Sequence, residues 1–111
     1  MSNADFTIKV GDRKPSVYGT LSDSSAVAWT LSGASVTFTM KHVSTNVVKV
    51  NKQTATIEDA AAHIVKYDWQ AADTDTAGYY YAEWEVTFPG GLVATFPNTG
   101  HNLVEVVGAL A

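Results

Sequence analysis

The sequence predicts an all-β sandwich, and three observations carry that prediction. Apolar residues alternate with polar ones at a period of two through most of the chain. Turn-forming residues interrupt this alternation at intervals of roughly ten residues. Threonine and valine are abundant while leucine is scarce, which suits pleated surfaces better than helices. A length of 111 residues supports one hydrophobic core, so residues 1–111 read as a single domain.

The most informative stretch runs from Ala72 to Phe88. It opens as a turn, in which Asp73, Asp75 and Thr76 can bond their own backbone and Gly78 permits a positive φ. It then becomes a strand. Tyr80, Ala82, Trp84, Val86 and Phe88 share one face; Tyr81, Glu83, Glu85 and Thr87 share the other. An aspartate, a glycine and a tyrosine opening a long strand match the corner before a central strand of an immunoglobulin-like sandwich, and the apolar face selects Tyr80 over Tyr79 as the inward ring. The predicted class is therefore an immunoglobulin-like antiparallel β-sandwich of about seven to nine strands.

The other elements follow in order. Residues 6–10 alternate as a first strand, and Gly11, Asp12 and Pro15 turn into a second over 16–21. Val27, Trp29 and Leu31 alternate as a third. Val36, Phe38 and Met40 face inward in a strand ending near His42. Ser44-Thr45-Asn46 forms a hairpin tip, after which Val47 to Val50 returns. Asn51-Lys52-Gln53 is expected to separate this strand from the next, Thr54 to Ile57. Glu58 to Ala62 is too short for a stable helix and reads as a loop or single turn. Val65, Tyr67 and Trp69 share one face of a strand over 64–69. Pro89-Gly90-Gly91 makes a tight hairpin into residues 92–96. Residues 97–100 turn again, and Leu103 to Val107 ends the sheet. The expected core is Val36, Phe38, Tyr67, Trp69, Tyr80, Trp84, Val86 and Phe96.

Composition narrows the function classes. There is no cysteine, hence no disulfide framework, thiolate metal site or cysteine nucleophile, and a microbial or viral sandwich is favoured. The net charge of −4 gives no electrostatic reason to bind nucleic acid or an anionic membrane. His42, His63 and His101 lack metal-ligand spacing. Asp68, Asp73 and Asp75 could gather around calcium, but without a full spaced loop they read better as turn-capping carboxylates. No Gly-x-Ser-x-Gly elbow or P-loop occurs. Glu83 and Glu85 could flank a glycosidic bond, though on the polar face of a strand they read as solvated or inter-subunit charges. No catalytic, cofactor or metal residue is assigned, and the chain is expected not to be an enzyme. Tyr79, Tyr81, Glu83 and Glu85 form the candidate interface, because exposed tyrosines are enriched where proteins meet; a loop of the same domain could instead cover them.

Several segments, taken in order, resemble the N-terminal domain of siphophage upper baseplate proteins. They are Phe6-Thr7-Ile8-Lys9-Val10-Gly11-Asp12, Pro15, Leu21-Ser22-Asp23 and Leu31 through Met40. In the second half they are Val65-Lys66-Tyr67-Asp68-Trp69, Asp73, Gly78-Tyr79-Tyr80, Ala82-Glu83-Trp84-Glu85-Val86 and Thr95-Phe96-Pro97. The resemblance spans nearly the whole chain. It implies a phage virion structural protein, located in the virion and in host cytoplasm before assembly. Its partners would be other virion proteins and further copies of itself, with neither nucleic acid nor membrane. In that family the domain sits on the virion side of a longer protein; a chain stopping at Ala111 could also serve the capsid, the head–tail joint or the tail tube. A carbohydrate- or receptor-binding module of an adhesion apparatus is the alternative.

Overall fold

A computed structural model describes residues 4–22, 29–98 and 100–109. Eight strands make up the fold: β1 (Phe6–Lys9), β2 (Val17–Thr20), β3 (Ser35–His42), β4 (Val48–Asp59), β5 (Ile64–Tyr67), β6 (Gly78–Thr87), β7 (Val93–Phe96) and β8 (Asn102–Val107). No helix occurs among the described residues. The all-β sandwich read from the sequence is the fold observed.

The strands pair in the order β1-β8-β6-β3-β4-β5-β2. β6 is the axis of the larger layer. Its residues Tyr80 to Thr87 pair with β3, its first half pairs with β8 and its second half with β7. β4 is long enough to serve both layers: it pairs with β3 up to Ala55 and with β5 from Thr56 onward. β5 and β2 complete the smaller layer. The two ends of this path, β1 and β2, do not pair with each other, so the sandwich keeps an open seam.

Three expectations about the chain are corrected. The sheet is mixed rather than wholly antiparallel, because β1 runs parallel to β8. Alternation reports which way side chains face and is blind to strand direction. The break expected at Asn51-Lys52-Gln53 is instead part of continuous β4. Lys52 adopts φ 49°, and the register against β3 shifts there, so an irregularity bends the strand without ending it. The third strand expected at Val27, Trp29 and Leu31 is not one where it is described. Leu31 is fully buried in irregular backbone, its N–H donating to the Ala60 carbonyl; Val27 lies outside the described residues. Thr99, within the expected turn over 97–100, also lies outside them.

The eight expected core residues are all buried. Phe38 is the hub. Its ring lies 4.8 Å from Tyr67 across the layers and 4.8 Å from Trp84 on the neighbouring strand, with Trp69 edge-on at 5.9 Å. Such offset and edge contacts add stability beyond area burial. A second cluster stacks Trp29 between His63 and Phe96.

The turn before β6 is fixed by hydrogen bonds. The Tyr80 hydroxyl donates to the Thr76 carbonyl at 2.6 Å, which is the tyrosine-corner arrangement of immunoglobulin-like sandwiches. Thr74 is buried, and its hydroxyl donates to the Asp12 carbonyl at 2.7 Å while its own carbonyl accepts from Gly11 N–H. Gly78 is required twice over. Its φ is 142°, and a Cβ there would stand 2.5 Å from His42 Nε2.

Candidate functional site

Alternation along β6 sends Tyr80, Ala82, Trp84 and Val86 into the core and leaves Tyr79, Tyr81, Glu83 and Glu85 on the outer face of the larger layer. The four candidate residues thus share one face, as their spacing predicts. Tyr79 and Tyr81 are 42% and 40% exposed, with only His101 of the β7–β8 loop lying against Tyr81. Glu83 and Glu85 are half-buried.

Neighbouring strands complete this face. Tyr81 lies between Lys41 on β3 and Leu103 on β8, and Val48 on β4 follows Lys41 in the same row. Glu105 lies across from Tyr79. Glu85 pairs with Lys52 at 3.6 Å, and the Tyr81 ring stacks on His101 at 4.5 Å. The patch therefore combines two aromatic rings, apolar margins and charges of both signs. Lys41, Leu103, Lys52 and His101 were missed from the sequence, because only strand register brings them to Tyr81 and Glu85.

The other chemistry-bearing residues are dispersed into structural roles. Asp68 accepts from Ser16 Oγ at 2.5 Å and lies 3.8 Å from Lys66 Nζ. Asp73 accepts from the Tyr67 hydroxyl at 2.6 Å and from Gln70 N–H at 2.8 Å. Asp75 is paired with Lys49. The three aspartates are turn and ion-pair groups and do not converge. Among the described residues, no group of three or more histidines and carboxylates is placed to hold a metal ion. His63 contacts the Trp29 carbonyl through Nε2 at 2.7 Å, His42 packs edge-on to Tyr80, and His101 covers Tyr81, so the histidines too stand apart.

Shifted titrations follow the same structural logic. Burial, reinforced by the bond to Asp73, pushes the Tyr67 hydroxyl well above its ordinary value of 10.0. Burial also raises Tyr80. Asp68 and Glu58 together raise Lys66, and hydrogen bonds from Lys49 and Thr76 lower Asp75. None of these groups lies on the Tyr79/Tyr81 face.

A different feature lies at the seam. Between β1, β2 and the β7–β8 turn is a cavity of about 310 Å³. Trp84 lines it from the core side and Gly19 of β2 stands against the indole, where a Cβ would be 2.8 Å from Nε1. The one sequence signal for this close approach was a lone glycine inside a strand.

No family model matches this chain, and no curated protein matches it. Among solved structures, the crystal structure of CopC from Methylosinus trichosporium OB3b matches with a TM-score of 0.50 at 13% identity, over 98% of this chain and 89% of that one. At that identity the likeness establishes a shared β-sandwich fold. It also corrects the function expected from the sequence. The protein that this fold matches is not a baseplate or other virion component. The expectation of a phage virion structural protein, with its alternative of an adhesion-apparatus binding module, is therefore withdrawn.

Proposed function

We propose that this domain is a non-catalytic interaction module that associates with a second copy of itself through the outer face of β6. One observation carries the reading: Tyr79 and Tyr81 are well exposed near the middle of a sheet rather than at its fringe. Tyrosines are favoured at contact surfaces because they bury a large area while fixing few torsions. The charges favour a second copy as partner. Lys41 and Lys52 share the face with Glu83, Glu85 and Glu105. A twofold rotation would bring the lysines of one copy toward the carboxylates of the other, as a self-complementary interface requires.

Sedimentation velocity over a range of concentrations tests this. A monomer–dimer equilibrium is expected, with Tyr81→Lys weakening it by about tenfold or more, the scale of losing one interface anchor. Monomer at every concentration up to about the millimolar range, where the weakest specific contacts register, would reject the reading.

A further inference from the structure

We propose that the seam cavity is a binding site for a small, neutral, planar molecule that presents one hydrogen-bond acceptor to the indole N–H of Trp84. This does not depend on the outer face of β6, since Trp84 points the opposite way.

The first observation is a donor that opens to the cavity. Trp84 is 1% exposed, and its Nε1–H is not among the sealed, unpartnered polar atoms of the described residues, because the indole borders the cavity. Trp69, equally buried, provides the contrast: its indole N–H donates to the Pro15 carbonyl at 3.1 Å. A sealed indole needs such a partner, whereas one that borders a cavity can take its acceptor from whatever occupies the cavity. Trp84 reaches the cavity instead, and the missing side chain of Gly19 keeps the space before its Nε1 clear. Alanine at position 19 would put a methyl carbon where the acceptor belongs.

The walls define the ligand. Phe6, Phe38 and Phe96 join Trp84 in lining the cavity, with Thr20 and Asn102 among its polar groups, which suits a flat body that carries a polar atom. A volume of about 310 Å³ accommodates one or two rings. Asp5 lines the cavity, its carboxylate accepts from Leu103 N–H at 2.7 Å, and among the described residues no lysine, arginine or histidine lines the space. An anion would therefore meet a carboxylate with no compensating cation. A cation would be drawn to the Asp5 carboxylate but would face the positive end of the indole N–H. A neutral molecule with a carbonyl-type oxygen satisfies both restrictions, since indole is a donor only.

The test is a ¹H–¹⁵N titration of the whole chain. Three tryptophans give three indole signals, and Trp84→Phe identifies the one that matters while keeping an aromatic ring in the core. Acetophenone is the probe; ethylbenzene, the same shape without the oxygen, and benzoate are its controls. Acetophenone should move the Trp84 indole signal saturably and leave that of Trp69 in place. It should bind about fivefold or more tighter than ethylbenzene, the value of one hydrogen bond. Trp84→Phe should reduce that preference to less than about twofold, and Gly19→Ala should abolish binding. If Trp84→Phe fails to fold, the wild-type preference for acetophenone over ethylbenzene decides alone. An unmoved Trp84 signal would overturn the proposal, leaving a cavity that holds only water. Equal binding of ethylbenzene would overturn it too, as would β2 amides that respond to an extended peptide and to none of the probes.

Discussion

The two faces of β6 are made by one run of residues, yet they meet different demands. Inward, Tyr80, Ala82, Trp84 and Val86 are essentially sealed from solvent and packed on Phe38 and its neighbours. Outward, Tyr79 and Tyr81 keep two-fifths of their surface exposed among lysines and carboxylates. Residue type alone does not separate them, for tyrosine occurs on both. Position does. Tyr80 closes the corner through its hydroxyl, whereas Tyr81 has only the His101 ring lying over it. A tyrosine one position along the strand thus changes from a structural pin to an available contact.

Truncation on the inner face should give the largest effect. Trp84→Ala removes a buried ring from the larger layer and should cost about 3–5 kcal/mol, measured by urea denaturation. An unchanged midpoint would break the contrast at its inner side. Tyr67→Phe should act at an intermediate level, losing the bond to Asp73 at a cost of roughly 1–2 kcal/mol near neutral pH. The same variant sharpens the contrast at high pH. Because the folded state raises Tyr67 and Tyr80, their contribution is fully present below the unfolded value of 10.0 and is lost as pH climbs above it, when the unfolded chain ionises first. Lys66, also raised, acts in the same direction. Wild-type stability should therefore fall above pH 10.0, and Tyr67→Phe should fall less steeply; equal slopes would mean that the hydroxyl is not shielded. On the outer face Tyr81→Ala should change stability by less than about 0.5 kcal/mol while still weakening self-association. Smallest of all, Lys49→Ala should leave the urea midpoint at neutral pH within error, since its partner Asp75 is an exposed surface carboxylate.

The inner face was legible because alternation at period two reports burial directly. Phe38, Tyr67, Trp84 and Phe96 needed no knowledge of strand partners to be assigned inward. Partners were the harder matter. Alternation could not show that β1 and β8 run parallel, nor that Lys52 carries β4 through a bend where three polar residues looked like a break. The alternation of Trp29 and Leu31 misled because irregular backbone can bury the same residues once its N–H groups find acceptors. The Tyr79/Tyr81 face was half legible: its own strand was visible, its lysines on β3 and β4 were not. The seam cavity was almost invisible, because an indole that borders a cavity is a property of three-dimensional surroundings. Function failed for a related reason. An ordered set of short segments resembled a virion domain family, but those segments are largely core alternation and turns, which follow the fold and not its use.

The claim that the outer face of β6 is the contact surface can be measured directly with single spin labels, since the chain has no native cysteine to interfere. Glu83→Cys places a label beside Tyr81, and Thr56→Cys places one on exposed backbone where β4 joins the smaller layer. Dipolar coupling between copies should appear at position 83, grow with concentration and be absent at position 56. Coupling at position 56 without coupling at 83, or none at either at concentrations where the protein sediments as a dimer, would contradict the account.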